Sequence, residues 1–488
     1  LIKFILNNKD ISTNLPAGMV LLDFIRYQQQ LTGTKIGCNE GDCGACTILA
    51  GEWLNDTLQY RSYTSCLTPL GNAHGKHIVT IEGLNTADGG SPFQGGSPSA
   101  ALNPVQQAMS DESATQCGFC TPGFTVSLAG FCLSQQAPTT KNAIASIDGN
   151  ICRCTGYKSI ERAAARVALL LQKRQEETPV DFGIKNNLLP PWFAGIGQRL
   201  KQLKLSLNGD ARHSENGITT RMVGGGTDLY VQKHDEMQDA PIRFMLDNPA
   251  LKGIVQEDDR CIIGPSATVT DLSESPIFKK HFPRLAQHTA LVSSTPIRNI
   301  ATLAGNFINA SPIGDFTIFF LALDAMLVLS DGTSTRELPL RKLYKGYKTL
   351  DKQPGEYIEK IWFRLPGRNS RFHFEKVSKR TNLDIASVNT ALHIITDGNS
   401  IREAHLSAGG VGPIPKFLEK TSAFLEGKPV SETTILKAIM LAQSEITPIG
   451  DTRGSEAYKR LLLSQLIKAH FITLFPELNV SELLAVEP

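Results

Sequence analysis

The chain has 488 residues, too many for one ordinary core, and at roughly 100–200 residues per domain it should divide into three or four domains. Its 49 basic and 47 acidic side chains nearly cancel, which gives no electrostatic case for nucleic acid or a membrane surface. Hydrophobic residues at 41% and charged residues at 20% describe a soluble globular protein.

The N-terminal run LIKFILNNKD reads as a strand and turn, with Asn7-Asn8 as a hairpin signal. It turns polar too soon for a signal peptide, so the expectation is a cytoplasmic chain. From Val20 to Gln30, Leu21, Leu22, Phe24 and Ile25 recur with helical spacing. The segment HIVTIEGL from His77 reads as another strand.

Nine of the ten cysteines lie between Cys38 and Cys154, with only Cys261 outside. An even number permits a disulfide framework, but clustering in a chain expected to be cytoplasmic favours metal ligands. Cys38, Cys43 and Cys46 follow a C-x4-C-x2-C spacing in GCNEGDCGACTIL, and Cys66 follows in YRSYTSCLTPL. This is the plant-type ferredoxin spacing for a 2Fe–2S cluster, three ligands in one loop and a fourth from a distant segment. Gly37, Gly41 and Gly44 permit the backbone to wrap an anionic group with its N–H donors. A structural zinc site is the alternative, although a lone distant fourth ligand is unusual for zinc.

Cys117 and Cys120 form a C-x2-C pair, and Cys152 and Cys154 a C-x-C pair. Either pair alone suits zinc or redox chemistry as well. Segments from Asn103, Gly123, Asn142 and Ser159 carry helical patterns separated by Pro, Gly and Asn, which predicts a four-helix bundle. The cysteines are expected at helix starts, where free N–H groups favour anions. Cys132, between Phe131 and Leu133, reads as a core thiol.

Residues 86–97 and 174–190 read as linkers. Beyond them, MVGGGTDLYVQ from Met222 is a glycine turn whose bare N–H groups suit either a plain turn or a pyrophosphate, and it is not the G-x-G-x-x-G fingerprint. IRNIATLAGNFINASPIGDF from Ile297 is a polar loop amid apolar flanks, and suits a cofactor with phosphates and a ribityl chain. FTIFFLALDAMLVLS from Phe316 is interrupted by Asp324, falls short of a membrane span, and reads as core.

Together, CNEGDCGACT, QCGFCTPGF and NICRCTGY closely resemble the iron–sulfur part of the molybdenum hydroxylases. The two later segments, with KRTNLDIASVN, LSAGGVGPIP and DTRGSEAYKRLLL, resemble the flavin-binding part of the same family. The resemblance implies a multidomain α+β chain. Its parts would be a β-grasp 2Fe–2S ferredoxin-like domain (1–85), a helical four-helix-bundle 2Fe–2S domain (98–173), and a two-part α+β FAD-binding region of the CO dehydrogenase flavoprotein type (191–370 and 371–488).

It implies one cluster on Cys38, Cys43, Cys46 and Cys66 and a second on Cys117, Cys120, Cys152 and Cys154, with Gln116 hydrogen-bonded to a pterin. It places FAD on Val223, Gly224, Gly225, Gly226, Thr227, Asp228 and Leu229. Further flavin contacts are implied at Thr302, Gly305, Asn306, Ser311, Asp315, Asp384 and Leu406, with Lys416 or Lys420 nearby. No residue is implied as an acid–base catalyst.

Fusion of clusters and flavin on one chain resembles the small subunit of the bacterial xanthine dehydrogenase type. That implies a large molybdopterin-binding partner, electron relay through the clusters to FAD, NAD as acceptor, and a dimer of heterodimers. An aldehyde or other N-heterocycle hydroxylase with another acceptor, a standalone iron–sulfur flavoprotein reductase, and a zinc-stapled binding protein are the alternatives.

Overall fold

The computed structural model describes residues 1–54, 56–85, 102–207, 220–380 and 382–485. The chain divides into two compact units, residues 1–246 with 294–301, and residues 247–293 with 302–488. The first flavin-type span, expected at 191–370, is therefore not one body. Its residues up to Leu246 and the short segment Ser294–Ala301 pack with the cysteine-bearing modules.

The first unit opens with five strands: β1 (Ile2–Leu6), β2 (Lys9–Thr13), β3 (Thr47–Leu54), β4 (Thr57–Thr64) and β5 (His77–Val79). Their order is β2-β1-β5-β3-β4, with β1 and β5 parallel and the other pairs antiparallel. Asn7, in the left-handed region at φ 52°, makes the hairpin turn expected of Asn7-Asn8. Period-two alternation sorts β3 between two cores. Ile48 and Ala50 pack with Leu21, Phe24 and Ile25, while Leu49 packs with the helical module. The helix expected over 20–30 is shorter: one turn at Leu21–Asp23, then a π-helical turn at Phe24–Gln28.

Four helices follow at Pro104–Asp111, Thr121–Cys132, Thr140–Ser146 and Lys158–Leu171, matching the expected bundle. Asn103 and Gln106 form a capping box at the first, and the Thr139 side chain caps the third. Val105, Phe124, Leu128, Ile160 and Val167 fill the bundle, and Cys132 lies buried in its core, its thiol pushed up to about 12 by burial. The expected linker at 86–97 lies outside the described residues. The expected linker at 174–190 is not one: Thr178 caps a helix at Pro179–Lys185, and Phe182, Leu188 and Leu189 are buried in the bundle core. Three apolar anchors bind a segment whose polar composition suggested a spacer.

The second unit holds two larger antiparallel sheets and a two-stranded one that pairs Tyr344–Gly346 with Thr349–Leu350. The first has five strands, in the order Thr335–Pro339, Met326–Ser330, Tyr357–Arg364, Arg260–Ile263, Ile254–Glu257. The apolar run from Phe316 supplies the helix Asp315–Ala322 and then the strand Met326–Ser330, turned at Asp324 (φ 48°), and is core as expected. The second sheet has four strands, Ser370–Val377, Val388–Asp397, Ser400–Gly409 and Lys416–Phe417. The helices Glu419–Leu425, Glu432–Glu445 and Glu456–Leu474 contribute Leu425, Ile435 and Ile467 to the core built on it. The two-part expectation for this region holds, with the change of sheet between Arg364 and Ser370. Among the described residues, no helix is long and apolar enough to cross a membrane.

Two polar features are buried in this unit. Lys376 Nζ lies 2.8 Å from Asp315 Oδ2 and donates to the Leu291 carbonyl, while Asn389 Nδ2 donates to Asp315 Oδ1 at 2.6 Å. Removing the carboxylate leaves a buried ammonium without its counter-charge, which typically costs 3–5 kcal/mol. Since the Leu291 carbonyl remains, Asp315→Ala should cost about 3 kcal/mol by urea denaturation, the low end of that range.

His288 is the second. Both its ring nitrogens are buried without a hydrogen-bond partner, among Phe319, Phe372 and Phe374, with Arg284, His373 and Glu375 as the charged or titratable neighbours. Burial brings its pKa from 6.5 down to about 4. Between those values the unfolded chain binds more protons, so this contribution to stability is complete above pH 6.5 and is lost as pH falls toward 4. His393, brought to about 3 by burial, adds to the same slope. His288→Leu should therefore raise the urea midpoint at pH 5 relative to wild type by more than it does at pH 7.

Candidate functional site

The loop 37–46 folds back on itself because Asn39, Gly41 and Gly44 sit at φ 58°, 78° and 67°. Its N–H groups then turn toward sulfur. Those of Glu40 and Cys43 donate to Cys38 Sγ at 3.4 and 3.3 Å. Cys66 is delivered from the end of β4, and its Sγ lies 3.3 Å from Cys46 Sγ, both thiols buried. The four sulfurs form two pairs. Beside the Cys43 thiol, and with the Glu40, Cys43 and Asp42 N–H groups directed at it, Cys38 falls to about 5 while Cys43 is pushed up. Cys46 is held low by its Cys66 neighbour, and Cys66 is raised by the same contact.

The second set repeats this pairing. Cys154 Sγ lies 3.5 Å from Cys117 Sγ, and Cys120 is partnered with Cys152. The Phe119 N–H, then Cys154, lower Cys117, and Cys154 is raised by Cys117. Burial, then Cys152, pushes Cys120 up to about 12. At Cys152 burial opposes ionisation, but the Thr155 hydroxyl and N–H prevail and the thiol is lowered. Cys120 is the N-cap residue of Thr121–Cys132, as expected. Cys152 and Cys154 are not at a helix start. They lie in the loop that ends at Tyr157, the left-handed residue leading Lys158–Leu171. Cys117 and Cys154 are exposed, as is Gln116 beside them, together with Phe119 and Tyr157.

Among the described residues, no three His, Cys, Asp or Glu side chains gather as ligands of a single ion. Two thiols on each side, with N–H donors aimed at sulfur, suit a binuclear centre in which each iron takes two protein thiolates.

The residues expected to hold FAD fall into both units. In the first, the strand Arg221–Val223 runs through Gly224, Gly225 and Gly226 into a helical turn at Leu229–Gln232. Gly225 is required by the fold itself, since a Cβ there would lie 1.9 Å from the Ile300 carbonyl. Gly226, at φ 88°, would bring one to 2.6 Å from the Leu67 carbonyl. Asn72 Nδ2 donates to the Gly224 carbonyl, and Tyr230 Oη to that of Gly18. Val223 is buried, while Gly224, Thr227, Asp228 and Leu229 keep partial exposure.

In the second unit, Thr302 caps the helix Leu303–Asn309 by accepting the Gly305 N–H. Asn306 Oδ1 accepts both the N–H and the hydroxyl of Thr317 at 2.9 Å. Ser311 accepts the Ile313 N–H, and Asp315 holds Lys376 and Asn389. Sequence motifs did not single out Thr317 or Lys376, because each is polar within an ordinary helix or strand pattern, while Asn389 closes the KRTNLDIASVN run without being named for itself. Asp384 stands apart from that network and accepts the N–H groups of Arg380 and Ile385. Leu406 is wholly buried in the core of the four-stranded sheet and offers a ligand no surface, which departs from the expected flavin contact. Lys416 pairs with Ala408 in that sheet, and the Lys420 N–H bonds Glu445.

Four family models match in chain order: the 2Fe-2S iron-sulfur cluster binding domain at 4–71, the [2Fe-2S] binding domain at 80–165, the FAD binding domain in molybdopterin dehydrogenase at 207–366, and the CO dehydrogenase flavoprotein C-terminal domain at 373–474. Among curated relatives, a xanthine dehydrogenase of Emericella nidulans is 27% identical over 94% of this chain, covering 38% of that protein. A nicotinate hydroxylase of the same organism is 26% identical over 94% of this chain and 40% of its own length. The chain thus spans about two fifths of these relatives. A carbon monoxide dehydrogenase structure from Hydrogenophaga pseudoflava has a TM-score of 0.51 at 23% identity, over 53% of this chain and 91% of that one, and a carbon monoxide dehydrogenase from Oligotropha carboxidovorans scores 0.51 at 22% over 54% and 92%. At that identity the likeness shows the fold, α+β with the architecture of the flavoprotein chain. With two iron–sulfur modules followed by the flavin modules in this order, the chain belongs to the molybdenum hydroxylases as their iron–sulfur and FAD-binding part.

Proposed function

We propose that the chain relays electrons in a xanthine dehydrogenase of split-subunit type, from a molybdopterin-bearing partner to NAD⁺. The observation that carries this reading is the gathering of eight thiols as four pairs, two in each iron–sulfur module of one unit. Cys38, Cys43, Cys46 and Cys66 would hold one 2Fe–2S cluster, and Cys117, Cys120, Cys152 and Cys154 the other. When bound, such clusters carry single electrons and a flavin carries one or two, which converts between the two regimes.

The protein's own part is positioning and electrostatics. The N–H groups of Glu40 and Cys43 stabilise negative charge on sulfur. The partly exposed backbone at Gly224 and Thr227 would receive the FAD pyrophosphate, with Thr302, Gly305, Asn306, Ser311, Asp315 and Asp384 as the second flavin-side group. Gln116, exposed beside Cys117, would offer its amide to the partner's pterin, and Phe119 and Tyr157 supply apolar surface on the same module. No side chain of this chain is assigned an acid–base step. The assembly would be a cytoplasmic dimer of heterodimers. A second reading, an N-heterocycle hydroxylase with the same relay, is favoured by the nicotinate hydroxylase relative, since the hydroxylated substrate would be chosen on the partner.

Cys43→Ser should remove one cluster's electron paramagnetic resonance signal and about half the iron, and leave the other signal in place. Loss of both, or of neither, would contradict the assignment. In the purified complex, molybdenum should travel with a second, larger chain, and anaerobic NADH should bleach both flavin and iron–sulfur absorbance. A spectrum bleached by dithionite but untouched by NADH would keep the relay and exclude nicotinamide as the acceptor.

A further inference from the structure

Gly44 and the loop before Cys152 meet at unusually close range. A Cβ on Gly44 would lie 2.2 Å from the Gly149 carbonyl and 2.4 Å from Asn150 Nδ2, and one on Gly123 would lie 2.3 Å from the Gly44 carbonyl. Side chains are excluded at Gly44 and Gly123, so their backbone comes close to Gly149 and to the Asn150 amide. At the centre, the Ile151 N–H donates to the Cys43 carbonyl at 3.0 Å. Cys43 belongs to the first thiol set, and Ile151 directly precedes Cys152 of the second. One hydrogen bond therefore closes a short run of covalent bonds from Cys43 Sγ to Cys152 Sγ.

Asn150 holds this junction. It is 5% exposed. Its Nδ2 donates to the Gly44 carbonyl at 3.0 Å and approaches Thr47 Oγ1 at 3.4 Å, and its Oδ1 accepts the Ser127 hydroxyl at 2.7 Å. The amide is thus fixed from both ends, by the helix Thr121–Cys132 on one side and by the 37–46 loop on the other. Buried amides with donor and acceptor both engaged are costly to misplace, which makes the geometry specific.

We infer that Asn150 is a positioning residue for electron transfer between the two iron–sulfur centres, and that the Cys43 carbonyl to Ile151 N–H bond is the bridge it holds. The inference rests on the assignment of the two thiol sets to 2Fe–2S clusters. With clusters bound, the step would move one electron from the centre that Cys117, Cys120, Cys152 and Cys154 would hold to the one that Cys38, Cys43, Cys46 and Cys66 would hold, with no bond or proton changing hands. In the proposed relay the electrons would come from substrate oxidation on the partner and would leave through the flavin.

The test uses the full chain with its partner, as wild type, Asn150→Ala and Ser127→Ala. Iron content and the separate paramagnetic signals are measured first. The magnetic splitting between the two reduced centres and their rate of electron equilibration after flash reduction follow. With both centres at wild-type occupancy, Asn150→Ala should lose much of the splitting and equilibrate severalfold more slowly. Ser127→Ala, which only frees the amide to rotate, should shift both in the same direction by less, and decides the matter where Asn150→Ala fails to assemble. Unchanged splitting and unchanged rate in variants with both centres present would overturn the inference and leave the clusters assigned. A wild-type chain lacking either paramagnetic signal would overturn the thiol assignment itself.

Discussion

The first unit is organised by the need to meet sulfur-borne negative charge with hydrogen-bond donors, at buried thiols such as Cys46 and Cys66 as at exposed ones such as Cys117. A thiolate in a poorly solvating site must be met by donors, and the cheapest donors are backbone N–H groups. Pointing several of them inward demands left-handed backbone, which Asn39, Gly41 and Gly44 supply. In the loop so folded, the Cys43 carbonyl accepts the Ile151 N–H and the Gly44 carbonyl accepts from Asn150 as well as from Thr47. The same local geometry that gathers the first set of thiols thus provides the surface on which the second module docks.

The docking is reinforced by a segment from far along the chain. Ser294–Ala301 packs in the first unit, where the Thr295 N–H bonds Asp148, Arg298 pairs with the same carboxylate, and Asn299 donates to the Ser62 carbonyl. Asp148 lies just before Gly149 and Asn150, so this strap and the 37–46 loop both fix the stretch ahead of Cys152. In the second unit the comparable device is Asp315, which joins Lys376 and Asn389 from two adjacent strands to the start of the helix Asp315–Ala322. Both devices place a carboxylate where it ties separate elements together, and both are buried enough that losing the charge is costly.

What the sequence determined by itself is local. The four helical segments, the Asn7 turn and the core character of Phe316–Ser330 follow from near-neighbour geometry, and the structure bears out these elements, while the spacing of Cys38, Cys43 and Cys46 sets which thiols can share one loop. Tertiary structure alone decided the rest. The pairing of Cys46 with Cys66 and of Cys117 with Cys154 depends on how strands and helices bring distant segments together. The anchoring of 174–190 depended on Phe182, Leu188 and Leu189 finding a core, which no local pattern announces. Lys376 and Asn389 matter only because β-pairing sets them beside Asp315, and Leu406, polar neighbours notwithstanding, is drawn into a core by its place in the sheet. Spacing fixes which groups can share a loop, while burial and long-range pairing fix which groups meet.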